Sequence, residues 1–172
     1  MNLDENAAAF GLFHLAYANL FQRLAAKVHC VRQLNEPNLR FDEVFGETFS
    51  SLCQRLKKEL KQFNKDQSPW LVEDVRVLQN TCSKMRVLAR WRNQRVHALV
   101  SMDEGGIRIY DSRTRKPLNI ARVECEKKIR EAIKLNVELE HRTRSLVSHV
   151  CSKKKMVAML KEAFRKAEVS SV

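Results

Sequence analysis

The sequence predicts an all-α protein, an antiparallel four- to five-helix bundle, and three observations carry that prediction. Glycine and proline are scarce, at 4 and 3 of 172 residues, which disfavours a turn-rich β fold and favours long helices. Apolar residues recur at steps of three and four along most of the chain, the spacing of one helix face. The length suits one domain, residues 1–172, with a core that needs neither disulfide nor metal.

The first helix is expected from Asp4, a fitting N-cap, to about Leu34. Phe10, His14, Tyr17, Phe21, Leu24, Val28 and Val31 make its stripe, and Phe13, Ala16 and Leu20 widen it, as in a helix buried on two sides. Residues 35–40, around Pro37, read as a loop. A second helix follows from Phe41 or Glu47 to Phe63, with Phe45, Phe49, Leu52, Leu56 and Leu60 facing the core. Ser68-Pro69 resembles an N-cap with proline in the first turn, which opens a third helix over 69–100. Its stripe is Leu71, Val75, Leu78, Cys82, Met85, Ala89, Val96 and Leu99, with Arg92 where another aliphatic residue belongs.

After Gly105-Gly106, the alternation of Ile107 to Tyr110 and the turn-like Asp111 to Thr114 admit a short β-ribbon between the third and fourth long helices. The fourth helix is expected from Asn119 to about Val150. Lys153, Lys154 and Lys155 then precede an amphipathic stretch with Met156, Leu160 and Phe164. Three lysines are unfavourable at a helix start, where the dipole is already positive. Either the fourth helix continues through them, or that corner is an exposed anion contact.

The net charge is +12, and residues 1–50 carry four Lys/Arg against six Asp/Glu, so the remainder holds all of the excess. Such a field attracts polyanions, nucleic acid first. The five cysteines are odd in number and form no C-x-x-C pair, which fits reduced thiols rather than a disulfide framework or zinc site. Asp4 and Glu5 stand where a signal peptide would be positive, and no apolar run approaches a membrane span. The reading is a cytoplasmic protein without a membrane partner.

On the third helix Arg86, Arg90, Asn93 and His97 follow steps of four, three and four and share one face, with Arg92 at the boundary of the apolar stripe. A guanidinium beside an imidazole suits phosphodiester chemistry, since Arg grips phosphate oxygens and His moves a proton near neutral pH. Arg92-Asn93-Gln94-Arg95-Val96-His97 resembles the signature of the HEPN superfamily: an Arg, commonly a polar residue next, then a His four to six residues on, late in a long bundle helix. The resemblance implies a metal-independent endoribonuclease without cofactor, a homodimer with a composite cleft. It also implies a place in toxin–antitoxin or phage-defence systems, with an antitoxin or defence partner protein. Arg92, Asn93 and His97 would be its catalytic residues, and Arg86, Arg90 and Arg95 would recruit the RNA backbone.

The same Arg-to-His spacing occurs at Arg23…His29 and Arg144…His149, but Leu24 and Ser145 follow those arginines where the signature has Asn, Asp or His. A branch of the superfamily paired with nucleotidyltransferases has Tyr two residues after the His; Leu99 stands there here, which leaves the abortive-infection or stand-alone RNase branch. The alternative class is a non-catalytic module that binds nucleic acid or nucleotides, or scaffolds a protein. His14 lies in an apolar stripe and reads as a hydrogen-bonded core histidine. His29, His141 and His149 read as packing or surface residues, and Trp70 and Trp91 as core or interface anchors.

Overall fold

The computed structural model describes residues 3–36, 47–65, 68–103, 106–110, 114–115 and 121–169. Four long helices, α1 (Leu3–Asn35), α2 (Phe49–Lys61), α3 (Pro69–Val96) and α4 (Arg122–Val169), pack as a bundle. A 3₁₀ turn, Gln62–Lys65, follows α2. Between α3 and α4, β1 (Leu99–Asp103) pairs antiparallel with β2 (Gly106–Tyr110), Leu99 opposite Tyr110 and Asp103 opposite Gly106. The expected loop over 35–40 and the expected turn at Asp111 to Thr114 lie largely outside the described residues.

The core is the set of stripes meeting on the bundle axis: Phe13, Leu20, Leu24 and Val28 from α1, and Leu52, Leu56 and Leu60 from α2. Leu78, Met85 and Leu88 from α3 join Leu139 and Leu146 from α4, all fully buried. Thr48 caps α2, its hydroxyl accepting from Ser51 N–H at 3.1 Å. Pro69 opens α3 as the sequence suggests, although Ser68 makes no side-chain capping bond.

The helix directions correct one expectation. Asn6 caps the start of α4, accepting from Arg122 N–H at 2.8 Å; Lys27 pairs with Glu140 at 2.7 Å; Lys154 donates to the Leu34 carbonyl at 2.5 Å. Both helices therefore run the same way. So does α2, because Tyr17 and Phe21 stack on Phe49 at its start while Arg32 and Asn35 reach Glu59 near its end. Only α3 runs against its neighbours, joined to α4 through Trp91–Glu124, Thr81–Glu138 and Asp74–Arg142. The cause is chain length. Residues 36–48 can span about 40 Å when extended, more than the roughly 27 Å from Asn35 back to the level of Tyr17. A crossover of that reach permits parallel neighbours.

Two boundaries also differ. The third helix ends at Val96 rather than residue 100, and β1 takes up Leu99 and Val100. The fourth helix starts at Arg122 and runs without a break through Lys153–Lys155 to Val169, one of the two outcomes anticipated for that corner. Among the described residues no helix is long and apolar enough to cross a membrane.

Candidate functional site

The last turns of α3 are clamped before they carry anything. Trp91 is buried, its ring edge-on to Phe13 at 4.8 Å, and its indole N–H donates to Glu124 of α4 at 2.7 Å. The Arg95 guanidinium lies 3.9 Å over the same ring and holds both Glu124 oxygens, at 3.1 and 3.2 Å. The expectation that Arg95 meets RNA is therefore corrected: its side chain is only 9% exposed and is committed to fixing α3 on α4.

Arg92 projects from this anchored turn toward α1. It is half-buried, its guanidinium carbon 5.6 Å from the centroid of Tyr17, and its Nη1 donates to Asn93 Oδ1 at 3.1 Å. Its Nε is buried without a hydrogen-bond partner. An unmatched buried donor on a charged group is costly, and an oxyanion brought against that edge would satisfy it. Arg92 thus fills the gap in the apolar stripe by resting on an aromatic face, its stem among apolar neighbours.

Two α1 residues complete the cluster, and sequence reasoning did not assign either to a site. Tyr17 lies beneath Arg92 and stacks on Phe49 at 4.9 Å. Burial pushes its phenol up to about 12, against a smaller opposing pull from Arg92. His14, one turn earlier, is half-buried and edge-on to Phe10 at 4.7 Å. Its pKa falls below the ordinary histidine value, through burial first and the Arg92 charge second. The signal in the sequence was a His and a Tyr three residues apart inside an otherwise apolar stripe.

His97 is the C-cap residue of α3 and is exposed, its backbone N–H donating to the Asn93 carbonyl at 3.1 Å. Arg86, Arg90 and Asn93 are exposed as well, so that basic stripe reaches solvent. Arg92 does not share its side of the helix with His97, because five residues turn the helix through about 140°. The decoy pairs are occupied elsewhere. His29 is buried, Arg144 pairs with Glu140 at 3.4 Å, and the His149 ring lies 3.8 Å from Asp74. Among the described residues no three His, Cys, Asp or Glu side chains gather as a metal-ligand set.

Compared with protein-family models, with curated proteins and with solved structures, the chain matches none.

Proposed function

We propose that this chain is a metal-independent endoribonuclease of the HEPN type, working as a homodimer in a toxin or phage-defence role, with Arg92, Asn93 and His97 at its site. The observation that carries the reading is Arg92, a fixed guanidinium with one buried N–H unmatched, on the same helix end as an exposed histidine. Arg92 would bind the scissile phosphate and stabilise its growing charge. Since Arg92 and His97 of one chain point apart, the composite arrangement sets Arg92 of one protomer against the partner's His97. Exposed Val87 and Val96 on α3, with Leu12 and Leu15 on α1, offer apolar surface for such an interface.

In the reaction, His97 takes the proton of an RNA 2′-hydroxyl while that oxygen bonds to phosphorus. The P–O5′ bond breaks, and the departing oxygen is protonated. The products are a 2′,3′-cyclic phosphate and a 5′-hydroxyl. Asn93 holds the Arg92 guanidinium through the 3.1 Å bond, and Arg86 and Arg90 track the backbone. The test is incubation of pure protein with mixed RNAs in EDTA and mapping of the cut ends. Cyclic phosphate termini are the expected result. Binding without any cut would replace this reading by the second one, a non-catalytic nucleic-acid-binding module, which the exposed Arg86–Arg90–Asn93–His97 stripe favours because it needs no Arg92.

A further inference from the structure

The opposite end of the bundle holds a cavity that the RNA reading does not use. It has a volume of about 550 Å³ and opens where α4 passes the turn between α2 and α3. Leu71 lies some 21 residues before Arg92 on α3, so the two places are separated by about 30 Å of helix.

Its walls are apolar. Phe63 closes one side, Leu71 and Val150 the base, and Val157 the overhanging side. Leu71 is buried and Val157 is 41% exposed, so the lining grades from core to mouth. Lys153, Lys154 and Lys161 come to the same opening, and no Asp or Glu is among the lining residues. By contrast the cavity of about 310 Å³ along α1 and α4 includes Glu140 among its arginines, and that carboxylate already pairs with Lys27 and Arg144. The Lys154 ammonium donates to the Leu34 carbonyl at 2.5 Å, which pins it at the mouth and leaves its remaining donors available.

Size and polarity choose the occupant. Cavities of roughly 300–1,000 Å³ with apolar walls and a few placed polar groups take small molecules. A nucleic-acid backbone has nothing to bury against Phe63, Leu71 and Val150. A second copy of this chain would bring lysines against lysines. We propose that this cavity binds a small amphiphilic anion, an apolar chain ending in a carboxylate or phosphate. The chain lies against Phe63, Leu71, Val150 and Val157, and the head group lies between Lys153, Lys154 and Lys161.

Isothermal titration calorimetry of the full chain tests this with four probes of equal chain length: decanoate, decyl phosphate, decanol and decyltrimethylammonium. Decanoate and decyl phosphate should bind at one saturable site, and the cationic probe at least about tenfold more weakly. Each Lys→Ala change at 153, 154 or 161 should cost roughly two- to fivefold for the anions and nothing for decanol, the range of partly exposed ion pairs. Ala158→Trp fills the mouth from an exposed position on α4 and should abolish binding with helix content unchanged. Equal affinity for the cationic probe, or undiminished binding by Ala158→Trp, would overturn the proposal. Vesicles of phosphatidylglycerol and of phosphatidylcholine separate the sources. Competition with decanoate by the anionic vesicles alone assigns the site to a membrane lipid, and absence of competition assigns it to a free amphiphile. RNA cleavage by the Ala158→Trp chain should equal wild type, so failure here leaves the ribonuclease reading standing.

Discussion

Trp91 is where α3 is held, and Trp91→Phe removes one bond while keeping an aromatic ring in place. The indole N–H donates to a carboxylate at 2.7 Å, a charge-assisted contact of the kind that contributes about 1.5–3 kcal/mol. The lower end applies, because Glu124 is 36% exposed and keeps Arg95 at 3.1 Å. The smaller phenyl ring also leaves unfilled volume beside Phe13, costing about another 1 kcal/mol. The expected destabilisation is about 2–3 kcal/mol, or roughly 5–10 °C in Tm for a chain of this length. Urea denaturation followed by far-ultraviolet circular dichroism, with thermal melts beside it, reads both. Glu124→Gln should cost a similar amount, and the double variant should fall short of the sum by about 1 kcal/mol, because both changes break one contact. A Trp91→Phe chain within about 0.5 kcal/mol of wild type would show that the clamp does not hold α3.

His97→Ala should lower RNA cleavage by about 10²–10⁴ with little change in RNA affinity, Arg92→Lys should not restore full activity, and Arg144→Ala should cut normally. Single-turnover cleavage and filter binding separate these effects. Absorbance titration should find a phenol ionising near pH 12, assigned to Tyr17 by its loss in Tyr17→Phe. Its folded pKa lies above the unfolded value, so the protonated form favours the fold. That contribution is complete below about pH 10 and is lost as pH rises toward 12. Under native conditions iodoacetamide should label exposed Cys151 rapidly and spare Cys53, Cys82 and Cys125, which mass spectrometry resolves; burial raises the Cys125 thiol, and the contact with Cys82 together with burial raises Cys53. Light scattering at micromolar concentration should show a dimer that Leu12→Glu with Leu15→Glu converts to a monomer of about 20 kDa.

The stripes were legible because burial repeats at the helical period: every apolar α3 residue from Leu71 through Ala89 in the expected stripe is buried. Direction was not legible, since an amphipathic stripe reads the same from either end and a long connection permits both senses. The end of α3 escaped for a related reason. Val96 and Leu99 continue a helical spacing, but Leu99 also begins a strand, and the ladder with β2 decides between them. Arg92 announced itself as a charge inside an apolar stripe, whereas its resting place on Tyr17 depends on how α1 sits beside α3. Arg90 and Arg95 look alike in sequence. They differ because Arg95 stands one turn from Trp91 and meets Glu124, 29 residues further along the chain.

The pairing of α1 with α4 also governs when this molecule can fold at all. As the chain leaves a ribosome, Phe13, Leu20, Leu24 and Val28 emerge early, and α4, which packs along α1, emerges last. Closing a loop of more than a hundred residues precedes any reward from Asn6 meeting Arg122 or Lys27 meeting Glu140. Until then the α1 stripe lacks its final cover and is open to chaperones and to aggregation. Glu124 is also missing from the nascent chain at the moment Trp91 and Arg95 appear, so the end of α3 stays unclamped until synthesis is nearly complete. For a molecule that cuts RNA, that order of assembly would delay the activity until the chain has left the messenger that encodes it.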